Sequence, residues 1–414
     1  MLKVVILNGN HLCHNPRVFK EAAALAAAGF DVEVLGAWFD EALARRDLDL
    51  SRGQAFRYTP VFELFRESGR RSFAGTALRA RNWAGIRAVR WMGLETAAAL
   101  GYGLDTMLRE AKRRKADLFI AHSEPTLWVA AKLAEAGKKI GVDMEDWFSE
   151  DYIWSGRPRR LLRRLETTIL SSAAHSTCTS QAMSSELAAV YRCRRPTVIY
   201  NAFAWGDRKN TDGLIKDRRN LSVRSIHWFS QTVGPGRGLD DLFAALPFIK
   251  GEVEIHVRGT AAGTNRTWFE GSIPAAWRTR IFLHPIVPND ELLSRIAEHD
   301  IGAALERDEP RNKDLTVSNK ILQYLQAGLA VAATSTAGQR EVAAAAAGAV
   351  CLYTAGNPIE LANRLNVFLT TKKALAQAKD AALQASRTAF AWENIAPILV
   401  ASVERACHKK AVAV

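Results

Sequence analysis

The sequence predicts two doubly wound, Rossmann-like α/β domains in series. Three observations predict it. Short β-branched runs alternate with longer amphipathic segments rich in Ala and Leu, the signature of a parallel sheet with helices on both faces. The alternation stops once, at a polar and charged stretch, and then restarts. The length, 414 residues, is enough for two separate cores of ordinary size.

In chain order, Val4–Leu7, Val32–Leu35, Leu118–Ala121, Ile140–Val142, Ser176–Thr179 and Val198–Tyr200 read as buried strands. Helical patterns at Arg17–Ala28, Leu127–Ala136 and Met183–Tyr191 lie between them. Asp207–Asn220 is charged and poor in core residues, which reads as a linker. Strands resume at Ser225–Phe229, Val253–Val257, Ile281–Val287, Ile301–Leu305, Ala330–Ala333 and Ala349–Leu352. Leu239–Leu246, Glu291–Ala297, Lys320–Ala327 and Pro358–Leu369 read as their helices. The expected organisation is a first domain at 1–206, a linker at 207–221, a second domain at 222–390, and a terminal helix in 391–414 that packs back on the first domain.

Composition narrows the function classes. Hydrophobic residues at 48% and charged residues at 24% exclude wholesale disorder. A formal charge of +13 favours polyanionic partners: nucleic acid, an anionic membrane face or phosphorylated substrates. No recognised nucleic-acid motif accompanies the charge, so nucleic acid is not expected. Cys13, Cys178, Cys193, Cys351 and Cys407 form neither a disulfide framework nor a metal knuckle, which suits a reducing compartment. No run reaches the length of a membrane-spanning helix. The expected location is the cytoplasm, with any membrane contact peripheral.

Two basic stretches stand out. Arg70–Trp91 carries six arginines among Phe73, Leu78, Trp83, Ile86 and Trp91, with no acid. A basic helix with an aromatic face can lie in a headgroup layer, and Arg70–Arg90 with Arg157–Arg164 could form one such surface. The same residues also fit solvated faces of ordinary domain helices.

Ligands of doubly wound sheets sit beyond the carboxyl ends of the strands. Two strand ends in the second half look suited to a diphosphate. One is Ser318-Asn319-Lys320, where Ser318 caps a helix whose first-turn N–H groups and dipole attract an anion, and Lys320 adds a full charge. The other runs from Gln231 and Thr232 through Gly234, Gly236, Arg237 and Gly238; its glycines allow close backbone approach and Arg237 can grip a phosphate. Glu341, after the next strand, could reach a ribose diol or could cap its own helix.

In the first half, Asp143-Met144-Glu145-Asp146 clusters three carboxylates at a strand end. Such a cluster needs donors or cations around it and is a place for a general base or for recognition of an acceptor hydroxyl. His122 ends the neighbouring strand, and Asn10 and His11 lie in the loop after the first. His11, Cys13 and His14 are close together but complete no tetrahedral metal set, and Asp47-Leu48-Asp49 lies in a charged connecting region.

The order of these pieces resembles the nucleotide-sugar glycosyltransferases of the GT-B fold, family 4 type, over nearly the whole chain. Asn15-Pro16-Arg17-Val18-Phe19-Lys20-Glu21 with Ala27-Gly29-Phe30-Asp31-Val32 is similar to the family's opening helix and second strand. Ala116–His122, Pro196–Phe203, Asn319–Val331 and Phe390-Ala391-Trp392-Glu393 are similar to four later segments. The resemblance implies two Rossmann-like domains facing across a cleft, and a retaining hexosyl transfer from a nucleotide sugar to a glycan or lipid-linked acceptor in bacterial envelope polysaccharide synthesis. It implies the donor on Gln231, Thr232, Gly236, Arg237, Ser318, Asn319, Lys320, Gln323 and Glu341. It puts Asn10, His14 and Arg17 on the acceptor side, with His122, Asp143, Glu145 and Asp146 as catalytic candidates. No cofactor and no obligatory metal are implied, because protein cations and helix starts stabilise the leaving diphosphate.

The chain departs from the family at several points. The family's donor-site glutamates fall at Leu315 and Gln323, so Glu306, Asp308 or Glu309 would have to substitute. Its phosphate-gripping pair falls at Thr232 and Arg237, and its acceptor-side histidine at Glu145. Two alternatives follow: a nucleotide-sugar epimerase on the same fold, or a non-catalytic basic relative that binds membranes.

Overall fold

The computed structural model describes residues 1–65, 73–152 and 154–408. Arg70 and Arg71 of the first basic stretch lie outside the described residues. The chain divides into two compact units. The first holds Met1–Thr179, Met183–Ile199 and the chain from Ala396 onward; the second holds Ser180–Ala182 and Tyr200–Ile395.

The first unit is built on seven parallel strands: β1 (Lys3–Asn8), β2 (Asp31–Trp38), β3 (Arg57–Glu63), β4 (Leu118–His122), β5 (Ile140–Met144), β6 (His175–Cys178) and β7 (Thr197–Val198). Their order is β3-β2-β1-β4-β5-β6-β7. The central strands β4 and β5 are buried throughout, so they read as near-continuous apolar runs. β3 escapes the sequence pattern because it is an edge strand with mixed exposure, where Pro60 removes no ladder bond that matters. Helix Glu41–Ser51 also escapes it, because its only buried residues are Ala44 and Asp47.

The chain winds outward from β1 to β3 and then crosses to β4, so the topological switch lies between β1 and β4. Register then does something specific. Asn8 lies opposite His122, His122 opposite Asp143, and Asp143 opposite Thr177. Four polar side chains therefore form one row across the carboxyl ends of four strands.

The second unit repeats the plan with β8 (Arg224–Thr232), β9 (Val253–Thr260), β10 (Ile281–His284), β11 (Ile301–Ala304), β12 (Ala330–Thr334) and β13 (Val350–Tyr353), ordered β10-β9-β8-β11-β12-β13. Its switch lies between β8 and β11. β8 runs through Ser230, Gln231 and Thr232, which the sequence reading places in the following loop. A register shift after Phe229 lets Thr232 pair with Thr260 and prolongs the strand. β10 stops at His284, ahead of Pro285.

One sheet face of this unit is packed with Ile226, Trp228, Ile255, Val257 and Ile301. The other face under β8, β9 and β10 is polar: Ser225, His227, Glu254, His256 and Arg258 are all buried there. The stretch read as a linker covers it. Asp217, itself 6% exposed, pairs with Arg258, and the N–H groups of Lys216 and Asp217 both donate to Glu298 at 2.8 Å. Asp212 pairs with Arg295 at 2.6 Å. Asp207–Asn220 is charged because the surface it covers is charged.

The last helix, Trp392–His408, buries Leu399, Val403 and Ala406 along one stripe. Ser402 meets His175 Nδ1 at 3.1 Å, within the first unit. Among the described residues no helix is long and apolar enough to cross a membrane.

Candidate functional site

The row at the switch of the first unit is a charge network. Helix Pro16–Ala27 starts with Asn15 as its cap, whose side chain accepts from the Val18 N–H at 3.3 Å. The helix is Ala-rich, and it sends two charged residues one turn apart into the row. Arg17 Nε and Nη2 donate to the two oxygens of Asp143, each at 2.6 Å, and Nη1 donates to the Ile199 carbonyl at 2.8 Å. Glu21 Oε2 lies 2.6 Å from His122 Nε2. His122 Nδ1 is 3.2 Å from Asp143 Oδ2, and Thr177 donates to Asp143 Oδ1 at 2.6 Å.

These contacts sort the candidates. Burial alone would raise the Asp143 pKa, but Arg17 and His122 hold it well below the usual carboxylate range. Burial would equally strip His122 of its proton, yet Glu21 and Asp143 push its pKa up to about 10. Asp143 thus stays ionised and His122 stays protonated near neutrality. Both are essentially inaccessible to solvent. They make a rigid floor and leave no open position for proton transfer.

Glu145 differs. It stands two residues beyond Asp143, partly exposed, with Oε2 accepting from Asn15 Nδ2 at 3.1 Å. Burial raises its pKa to about 7, aided by Asp143 and Asp146 and opposed by His122 and Arg17. A carboxyl that exchanges its proton near neutral pH on the rim of a fixed floor suits acid–base work or hydroxyl recognition. The loop carrying it is anchored from below. Glu166 accepts from the Ser149 N–H at 2.9 Å and from Tyr191 Oη at 2.5 Å, and Tyr191 Oη accepts from Trp147 Nε1 at 2.9 Å.

His122, Asp143 and Glu145 also place one ligand atom each within 4.8 Å of one another, as a divalent ion would require. The donor set does not fit one. Both Asp143 oxygens are taken by Arg17, and the adjoining groups are a guanidinium and an imidazolium, which repel a cation.

The remaining first-unit candidates fall elsewhere. Asn10 accepts from the His11 N–H at 3.1 Å and closes the turn after β1. His14 is exposed, with its ring 6.1 Å from that of His11. His11 is wholly buried: Nδ1 meets Asp47 at 2.7 Å, and Nε2 accepts from the Phe39 and Asp40 N–H groups. Asp47 also receives Tyr58 Oη at 3.1 Å. Asp47-Leu48-Asp49 therefore lies in helix Glu41–Ser51, with Asp47 buried in a structural network.

In the second unit the loop after β8 meets the end of β11. Gly238 has φ 81°, and a Cβ there would overlap the Leu305 carbonyl at the end of β11. Glycine is thus required for the loop after β8 to pack on β11. Arg237 in that loop donates to Ser230 Oγ at 3.2 Å, and Gly236 has φ 71°. Glu306, next to Leu305, carries the contact onward. It accepts from Ser318 Oγ at 2.9 Å and pairs with Lys320 Nζ at 2.5 Å. Burial would raise its pKa, but Lys320 and Ser318 lower it. Ser318 caps helix Asn319–Ala327, accepting from the Lys320 N–H at 3.1 Å. A carboxylate of the chain itself thus sits where the charge and the hydroxyl of the helix start point.

Gln231 and Asn319 are exposed, and Thr232 and Gln323 are partly so. Leu315 is buried, at 5% exposed. Glu341 accepts from the N–H groups of Gln181 and Ala182, each at 3.0 Å, so it caps neither its own helix nor an open edge. The sequence reading missed Glu21, Thr177 and the pairing of Glu306. Only Glu21 left a signal: a charge at i+4 from Arg17 in a run of alanines.

No curated protein matches the chain in sequence. Residues 14–202 match the family described as Glycosyl transferase 4-like domain. Solved structures share the architecture at low identity. Sucrose-phosphate synthase from Thermosynechococcus elongatus is 12% identical with a TM-score of 0.72, covering 98% of this chain and 99% of that one. HepE from Anabaena, solved in complex with UDP, is 16% identical with a TM-score of 0.69, covering 97% and 100%. WaaG, a glycosyltransferase involved in lipopolysaccharide biosynthesis, is 14% identical with a TM-score of 0.61, covering 96% and 99%. Residues 14–202 are thus similar to the glycosyl transferase 4-like domain, on a chain that has the GT-B fold throughout.

Proposed function

We propose that the protein is a retaining hexosyltransferase that moves a sugar from a nucleoside diphosphate sugar to a glycan or lipid-linked acceptor. One observation carries the donor reading. At the β8–β11 switch, a glycine turn with Arg237 packs onto the strand end whose Glu306 engages Ser318 and Lys320. A helix start, a lysine and an arginine together suit a diphosphate. The HepE complex, in which that relative holds UDP, supports the same class of ligand.

The first unit supports the acceptor. Glu145 would accept a hydrogen bond from the attacking hydroxyl, held in place by the Arg17–Asp143–His122 floor. The bond from the anomeric carbon to the diphosphate oxygen breaks, the bond to the acceptor oxygen forms, and the hydroxyl proton leaves with the departing phosphate. Catalysis is then positioning plus stabilisation of developing phosphate charge. Retention and the envelope pathway rest on the family resemblance.

Thermal shift with UDP, GDP, dTDP and CMP sugars tests the reading. Stabilisation by one of them, lost in Lys320→Ala and Arg237→Ala, is the expected result. Binding without acceptor but with release of an epimerised sugar nucleotide would replace transfer by epimerisation. No stabilisation by any of them would favour a non-catalytic relative.

A further inference from the structure

We propose that the Trp83–Arg87–Trp91 face of the first unit docks on an anionic lipid bilayer. This goes beyond sugar transfer and stands whether or not that reading holds.

Helix Phe73–Arg87 buries almost nothing apolar. Its inward stripe is Gly75, Asn82 and Gly85, followed by Val89 in the π-helical turn Ala88–Met92. A Cβ at Gly75 would overlap the Leu64 carbonyl, and one at Gly85 the backbone of Ala98 and Ala99. The glycines therefore seat the helix directly on the chain beneath, and its bulky residues face outward. Phe73 is 86% exposed, Trp83 56%, Trp91 67%, Met92 70% and Leu94 53%. A soluble surface rarely gathers so many large apolar groups on one short segment.

The charge pattern selects the partner. Phe73–Leu94 contains Arg79, Arg81, Arg87 and Arg90 and no acid. Arg81 is paired with Asp105, and Arg79 donates to the Phe39 carbonyl at 2.9 Å. Arg87 and Arg90 stay exposed. Arg87 lies 3.7 Å from the Trp83 ring centre and 4.8 Å from that of Trp91, so a cation stands between two indoles, about one turn from each. Indoles favour the interfacial layer, where arginine can keep its charge beside phosphate.

The second basic stretch joins only in part. Arg157 is 11% exposed and paired with Glu124 and Asp151, so it is internal. Arg160 donates to the Gly93 carbonyl at 2.6 Å and lies 3.3 Å from Glu95, which ties helix Arg159–Ser172 to the end of the aromatic segment. Arg163 and Arg164 on that helix are exposed. The resulting surface is apolar at Trp83, Trp91 and Met92, and cationic around them. That matches an anionic headgroup layer better than a second copy, whose identical face would repel it.

Flotation of the full chain with vesicles tests the proposal. Binding to phosphatidylglycerol vesicles at low salt, weakened by high salt and absent with phosphatidylcholine alone, is expected. Trp83→Ala and Trp91→Ala should each weaken it about tenfold, the worth of one buried aromatic side chain. Arg87→Glu should weaken it further, whereas Arg278→Glu, the same charge change on an exposed residue of the second unit, should not. Thermal midpoints should stay unchanged, since the replaced side chains are exposed. Equal losses in Arg87→Glu and Arg278→Glu, or retained binding in the double Trp variant, would overturn it. So would light scattering that showed a dimer dissociated by the Trp substitutions with no vesicle binding.

Discussion

Arg17 grips Asp143 through two parallel bonds of 2.6 Å across the carboxyl ends of the central strands. The pair is buried, and the fork geometry satisfies both carboxylate oxygens at once. It joins helix Pro16–Ala27 to β5 at the level where His122 and Thr177 also converge.

Breaking that pair strands a buried carboxylate. Arg17→Ala should destabilise the first unit by about 3–5 kcal/mol, as for other buried ion pairs that lose one partner. The unfolding midpoint should fall by on the order of 10 °C. Arg17→Lys should recover only part of this, because an ammonium cannot donate in parallel to both oxygens. Calorimetry on the two variants checks it, and equal midpoints for wild type and Arg17→Ala would refute the role.

Glu145 predicts a pH profile. A carboxyl with its pKa raised to about 7 is neutral below that pH and ionised above it. If the ionised form accepts the acceptor hydroxyl, kcat/KM rises as pH passes through 7. Glu145→Gln should lower turnover by about 10–100-fold, the worth of one hydrogen bond to a charged acceptor, and should flatten this limb. An unchanged limb in the variant would assign the profile to another group.

Glu306 competes with an incoming anion for Lys320. Glu306→Gln keeps a hydrogen-bonding group beside Ser318 but removes the negative charge. Nucleoside diphosphate should then bind about tenfold tighter, the size of one charge-assisted hydrogen bond. Turnover should fall if Glu306 also aims Lys320. Titration calorimetry with UDP and GDP measures the first effect; weaker binding would make Glu306 a positioning residue only.

The polar face of the second unit should fail in acid. His227 and His299 have depressed pKa values, and burial lowers His256 to about 2 and His284 to about 4. The unfolded chain takes up protons near pH 6.5 that the folded chain refuses, so stability falls as pH drops below that value. Each imidazole held neutral contributes about 1.4 kcal/mol of loss per pH unit. Arg258 and Arg218 add repulsion, while Asp217 and Glu254 offer counter-charge. Asp217 is itself held ionised, and its own contribution is lost only at lower pH. Between pH 6.5 and 5, His256 and His284 together predict a loss of about 3 kcal/mol. Calorimetry across that range checks it, and a flat midpoint would mean that the cluster opens without unfolding.

The sequence by itself determined the two doubly wound halves, because buried parallel strands must be apolar and the helices between them must be amphipathic. It also marked the strand ends at His122 and Asp143, since polar residues that close apolar runs stand out, and the Ser318-capped helix start at Lys320. Only the tertiary structure decided what those residues do. Register set Asn8, His122, Asp143 and Thr177 in one row, and that alignment depends on pairing between strands far apart in the chain. Long-range contacts made Arg17 an internal clamp, put Glu306 on Lys320, and turned the apparent linker into a cover for a polar sheet face. A charge in a sequence has no partner until the fold brings one, and the partner decides whether it acts on the protein or on a ligand.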